Sequence, residues 1–469
     1  VRNFGQRLRR GVAGLAVAAT TFSGSSALAE TLTDTLIDAY RNSNLLAQNR
    51  ALLRAADEDV AVAISSLRPT LDFITDWGGV HPNPITGFSN TGNPTFDDNL
   101  SATFQLQAEL ILYAGGRNRR TIDSQKETVL ATREALRSVE QSVLLQAVVS
   151  YMGVLRAIAF VDLRENNVRV LTQEKQATQD RFEVGEVTRT DVALADSRLA
   201  AAQSSLEAAR GDLEVSRETF RTAVGRYPGT LATPGRLPAT AASVQEAINV
   251  AVRTHPDVRR AQREVTVAEI GIEIASGAYR PTISGLITSS TETNNWNERH
   301  SLGVRLSQPI YQGGRLAALE RQAMARRDAA RATLLQTTLT VEESVANAWA
   351  NLDVAKAQIL ATDLQIRAAE IAFEGTREEA TLGARTTLDV LDAEQELLDA
   401  RAAKIDAVAT QYVAVYSLLS AMGLMTVDHL KLGIQTYDPA GYYNAVKSAP
   451  ARLSPRGKQL DRVLRKLGK

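Results

Sequence analysis

The chain has 469 residues, 53 basic and 53 acidic side chains, and no cysteine. Disulfides and thiolate metal sites are therefore excluded, while the length permits several domains or one elongated one. The tail Ala451–Lys469 holds seven basic residues against Asp461 alone, so the body is acidic and nucleic-acid binding by it is not expected.

In chain order, Arg2, Arg7, Arg9 and Arg10 precede the apolar run Gly11–Phe22 and the small-residue site Ala27-Leu28-Ala29. Residues 1–29 therefore read as a signal peptide. No cysteine follows it to carry a lipid anchor. Beyond it no apolar run is long enough for a membrane helix, so any membrane span is expected to be made of strands. Thr31–Leu67 reads as one helix, ended by Arg68-Pro69. The period then becomes two: Leu71, Phe73, Thr75 and Trp77 alternate with Asp72 and Asp76. From Leu100 to Leu112 the even positions are apolar, while Ser101, Thr103, Gln105, Gln107 and Glu109 lie between them. Such strands have one lipid-compatible face and one polar face. Gly78–Asn99 is the loop joining them.

Tyr113 ends this segment as an interfacial aromatic, and Gly115 and Gly116 turn the backbone into a helix. Helical periodicity then runs without proline to Glu183, about 70 residues or roughly 100 Å. Val184–Val192 follows, with Gly185 as a left-handed helix end and Thr188 capping the next helix with Asp191. The return helix carries the heptad row Val192, Leu199, Leu206, Leu213 and Phe220.

Past a Pro-rich linker the chain repeats itself. Ala39–Asn44 and Arg68–Thr70 recur 212 residues later, whereas Tyr113–Arg117 and the turn recur after 198. The difference falls in the strand region, which identifies a variable loop. Ile283, Gly285 and Ile287, then Leu302, Val304 and Leu306, give the second pair of strands. Tyr311, Gly313 and Gly314 repeat the junction. Val345, Leu352, Ile359, Ile366 and Phe373 lie seven apart on the second long helix, with Ala348, Ala355 and Ala369 three residues after members of the series. Gly383, Thr386 and Asp389 repeat the turn, and Leu391, Leu398, Ile405, Tyr412 and Leu419 the return helix.

The expected boundaries are 1–29 signal peptide, 30–227 first repeat, 228–242 linker, 243–425 second repeat and 426–469 C-terminal segment. Within that segment Tyr437–Tyr443 is expected to pack outside near the repeat junction, and the basic tail to be disordered. The fold class is mixed α and β. Four strands can neither form a sandwich core nor close a barrel, but several chains contributing four each can, and closure removes the exposed edges.

These features together resemble the TolC family of outer-membrane export proteins over nearly all of Thr31–Leu430. The motifs that carry it are the duplicated order, the Tyr-x-Gly-Gly-Arg junctions and two Gly-x-x-Thr-x-x-Asp-Val tips. The resemblance implies a homotrimer with a 12-stranded transmembrane β-barrel, four strands per chain, continued by a long coiled-coil α-helical barrel. It further implies a duct in outer-membrane lipid that docks to a periplasmic adaptor and an inner-membrane ABC or proton-driven transporter. Its cargo would be proteins, small toxic compounds or both. The family's gate is similar at Arg385, Asp389 and Asp392, with Thr190 and Asp191 as the positions the Arg of a neighbouring chain links to. The tip turns at Gly185, Thr188, Gly383 and Thr386 would serve gating and adaptor docking. Where the best-known gate has a tyrosine three residues before the tip glycine, this chain has Ala380, so part of the closing network is missing or replaced.

Two other readings compete. A periplasmic structural coiled-coil protein would need no membrane, but the alternating strand Leu100–Leu112 argues against it. An enzyme has little support: His81, His255, His300 and His429 lie in loops or at helix starts, without nucleophile or metal-ligand spacing. No catalytic residue, metal or cofactor is expected. Asp191 and Asp389 are also explained as capping residues alone.

Overall fold

The computed structural model describes residues 29–80, 99–293, 296 and 298–467. The leader expected over 1–29 lies outside the described residues except for Ala29, as does most of the Gly78–Asn99 loop. The two halves of the chain have the same element order. The first runs α1 (Leu32–Asn42), α2 (Asn44–Ser65), β1 (Thr70–Val80), β2 (Asn99–Ala114), α3 (Arg117–Glu183) and α4 (Arg189–Val224). The second runs α5 (Val244–Thr254), α6 (Pro256–Gly277), β3 (Thr282–Glu292), β4 (Glu298–Ser307), α7 (Arg315–Thr381) and α8 (Thr387–Ala421). Two further helices follow, α9 (Pro439–Val446) and α10 (Pro455–Leu467).

The single helix expected over Thr31–Leu67 is two helices. Ser43 is extended, and its hydroxyl accepts the Leu46 N–H, so it caps α2 instead of continuing α1. In the second half His255 takes that place, and Pro256 starts α6 where its missing N–H costs nothing. The long helices α3 and α7 have 67 residues each, roughly 100 Å at the helical rise. Toward the sheet α2 and α6 lie along them; away from it α4 and α8 do. The short leading helices α1 and α5 turn aside into two local cores. One gathers Leu36, Tyr40, Leu144, Tyr151 and Phe220, the other Ala251, Val345, Leu352 and Leu418. Tyr151 is fully buried, and its hydroxyl donates to the carbonyls of Glu30 and Ala232, which ties the linker to the first core.

One stretch of α3 is long and apolar enough to cross a membrane, contrary to the expectation of none. Leu144, Ala147, Val148, Tyr151, Met152 and Val154 on α3 are buried in the first core. That burial accounts for the apolar stretch as the core helix of the protein.

The four strands form one antiparallel sheet in the order β1-β2-β3-β4. Phe73 pairs with Leu106, Ala108 with Ile287, and Ile287 with Leu302. Leu110, Gly285 and Val304 continue the same row pattern, while the row of Phe73 and Leu106 runs on into Ser289 and His300, so the apolar face spans all four strands at the end nearer the helices. Gln107, Thr288 and Ser301 lie across from one another on the other face, with Asp72 opposite Gln107. A bulge at Leu112 shifts the register, so that Tyr113 pairs with Ile283 and joins the apolar face. Phe73, Trp77, Leu302 and Val304 are exposed. The apolar face is thus largely uncovered by the described residues of the chain.

The strand-to-helix junction is held by Arg117, which donates to the Ala114 carbonyl at 3.1 Å and to Thr282 Oγ1 at 3.0 Å. Gly115 has φ +65, and a Cβ there would come within 2.4 Å of the Gly277 carbonyl. Only glycine fits. Its repeat counterparts Gly313 and Gly314 are also left-handed, at φ +56 and +81. Tyr311 beside them is exposed.

The C-terminal segment differs from expectation in two ways. Tyr437 touches α1 through Tyr40, but α9 then packs on α2, with Tyr437 and Tyr443 against Leu53, Val60 and Val129. The basic tail, expected as disordered, is the helix α10. Ser454 caps it by accepting the Gly457 N–H, Pro455 follows at the first position, and Leu460, Val463 and Leu464 share one face.

Candidate site at the paired helix tips

Far from the sheet, α3 turns into α4 and α7 into α8. Both helices end in the same hydrogen-bonded cap. The Gly185 N–H donates to the Phe182 carbonyl and the Glu186 N–H to Arg181; Gly383 and Ala384 donate likewise to Ala380 and Glu379. Gly185 and Gly383 have φ +80 and +76, a conformation costly for any residue with a Cβ.

Thr188 and Thr386 cap the following helices. The Asp191 carboxylate accepts the Thr188 N–H at 2.9 Å and its hydroxyl at 2.7 Å. Asp389 does the same to Thr386, at 2.9 Å for both. These bonds hold both carboxyls below their ordinary range. For Asp191 the Thr188 hydroxyl acts most strongly, and for Asp389 the Thr386 backbone N–H. Both stay ionised at neutral pH as structural caps.

The remaining site residues separate into two groups. Thr190 is exposed on the first turn of α4. Arg385 is exposed and donates to Glu379 of its own chain at 2.8 Å. Asp392 does not stand free: the Arg198 guanidinium of α4 donates to it at 2.8 Å. Between the two tips lies a cavity of about 500 Å³, lined by Asp191 on one side and by Ala380 and Arg385 on the other. Ala380 and Asp191 therefore line the same cavity.

Three contacts close behind the tips, and Arg156–Asp406 farther along the helices, join the α3/α4 pair to the α7/α8 pair. Besides Arg198–Asp392, Arg377 of α7 lies 3.2 Å from Glu174 of α3. The third is buried: Asn167 Nδ2 on α3 donates to Glu394 Oε1 on α8 at 2.5 Å, and both residues are among the few buried polar side chains. None of these partners was expected beyond Asp392. A signal existed, because at the 198-residue offset Arg198 corresponds to Glu396 and Asp392 to Leu194.

Burial raises the Glu394 pKa above its ordinary 4.5, with the Asn167 amide opposing the shift. The fold thus favours the protonated acid. Its stabilising effect is fully present below the unfolded pKa and is lost as pH rises through the folded one. Glu394→Gln, neutral at every pH, is expected to unfold at a higher temperature than wild type at about pH 8 and to converge with it near pH 4.5. Thermal unfolding monitored by circular dichroism at both pH values checks this, and an equal gap at the two would refute it.

The sequence matches the family described as outer membrane efflux protein over residues 35–226 and 247–424. It is 34% identical over 445 residues to the outer membrane efflux protein BepC of Brucella suis, covering 93% of this chain and 94% of that one. It is 27% identical over 319 residues to the alkaline protease secretion protein AprF of Pseudomonas aeruginosa, covering 65% of each. Among solved structures, CusC superposes with a TM-score of 0.73 at 20% identity, covering 83% of this chain and 91% of that chain. That likeness is one of fold.

Proposed function

The chain belongs to the outer membrane efflux protein family, the family of TolC, and from that premise we propose that it is a passive, gated exit duct for efflux or secretion. The observation that carries the proposal is the apolar face shared by the four strands of the sheet, set on two helices of 67 residues that end in paired tips. A periplasmic structural protein has no use for that face. A sheet with unpaired edges at β1 and β4 is completed when three copies join edge to edge. The barrel then spans the bilayer, and the helices continue its lumen into the periplasm. An inner-membrane transporter and a periplasmic adaptor supply cargo and opening force; the duct itself performs no chemistry on the cargo.

The tips form the constriction in this reading. Arg385 holds the second tip toward the Thr190–Asp191 corner of the neighbouring chain, in exchange with its own Glu379. Asp389 and Asp392 lie three apart on α8 and contribute acidic rings. Opening breaks these charge-assisted bonds, and an adaptor drives it by binding the open state more tightly. Arg385→Ser is expected to raise single-channel conductance in planar bilayers, and unchanged conductance would remove Arg385 from the gate. Asp389→Ala combined with Asp392→Ala is expected to lower cation selectivity. A reversal potential equal to wild type would show that these rings are not the filter.

A further inference from the structure

The C-terminal segment climbs the outside of α2 toward the sheet in three fastened steps. The Tyr437 N–H donates to the Tyr40 hydroxyl, the Tyr442 hydroxyl donates to Glu58 at 2.6 Å, and the Arg68 guanidinium donates to the carbonyls of Ser448 and Ala449. Arg68 stands two residues before β1, whose Leu71 and Phe73 are exposed on the apolar face. The chain is therefore clasped at the periplasmic rim of the sheet. There it turns sharply, with Ala449 at φ +44, and starts α10 at Pro455. Six residues reach at most about 20 Å, so α10 begins within that distance of the rim.

Its sequence is that of an interfacial helix. Leu460, Val463 and Leu464 form the apolar face, and Arg456, Lys458, Arg462 and Arg465 stand against the single acid Asp461. The apolar face is only partly covered by the chain itself, with Leu460 and Leu464 half-buried. Val463 is 50% exposed and Leu453, just before the helix, 84%. Between α9 and α10 lies a cavity of about 770 Å³, lined by Tyr437, Tyr442, Leu460 and Val463, with Arg54 and Arg456 at its edge. A helix that belonged on α9 would close that space. Within α10 only Asp461 opposes these basic side chains, and anionic phospholipid at the rim is a complement for the rest.

We propose that α10 docks on the anionic periplasmic leaflet of the outer membrane, apolar face into the headgroup boundary and basic face on the phosphates. The clasp at Arg68 is its pivot. This rests on the sheet lying in that membrane. It gives each chain a second membrane anchor outside the barrel.

The chain contains no cysteine, so Val463→Cys carries a single environment-sensitive fluorophore on the otherwise full-length protein. The labelled protein is reconstituted into nanodiscs of phosphatidylcholine alone, or of phosphatidylcholine with phosphatidylglycerol, each with a lipid-borne nitroxide quencher. Quenching in the anionic discs is expected to exceed that in the neutral discs by about tenfold, and to fall to the neutral level when Arg456, Lys458, Arg462 and Arg465 are all changed to Glu. Equal quenching in both discs, or none in either, overturns the proposal and leaves α10 on α9 or on a neighbouring chain. Failure of the protein to insert into any disc would instead count against the channel reading, which separates the two.

Discussion

Leu106→Arg is expected to deplete the protein from the outer-membrane fraction, whereas Gln107→Arg, one residue away, leaves it there. The two positions differ only in parity. Leu106 lies in the central strand β2 opposite Phe73 and Ser289, on the apolar face; Gln107 lies opposite Asp72 and Thr288, on the polar face. A guanidinium facing lipid near the middle of a bilayer costs about 2–4 kcal/mol per chain, while the lumen tolerates it. With three chains per barrel the cost triples, enough to abolish assembly. Fractionation followed by gel electrophoresis without heating reads the result as loss of the heat-modifiable oligomer. If both variants assembled equally well, the apolar face would not be the lipid face.

Ala380→Tyr is expected to lock the tips. The cavity between Ala380 and Asp191, about 500 Å³, accommodates a phenol ring. A tyrosine hydroxyl donating to the ionised Asp191 adds a bond of about 1.5–3 kcal/mol, or roughly a tenfold to hundredfold lower open probability. Asp191 keeps its capping bonds to Thr188, because a carboxylate has acceptor capacity to spare. Ala380→Phe separates bulk from bonding: it fills the same cavity without the hydroxyl and is expected to leave gating near wild type. Single-channel recording distinguishes the two, and equal effects of Tyr and Phe would show that packing alone acts there.

The period-two stretches were legible as strands because each side chain faces either lipid or lumen, which writes the pleat into the sequence. The turn motif was legible because Gly185 and Gly383 supply a conformation few residues adopt and Thr188 and Thr386 supply caps. The breaks at Ser43 and His255 were harder to read. Serine inside an Ala- and Leu-rich run changes helix propensity little, and only the capping bond to Leu46 shows its role. The tail's seven basic residues read as a solvated end, although Leu460, Val463 and Leu464 already lay at helical spacing within it. The Asn167–Glu394 pair was not legible, because it depends on which faces of α3 and α8 meet, and heptad rows alone do not specify partners between helices.

In the proposed channel three four-stranded sheets close a single barrel. Native mass spectrometry of the detergent-extracted, unheated protein tests it most directly. A particle of three chains is the predicted result; a single chain or a dimer that still resides in the outer membrane would contradict it.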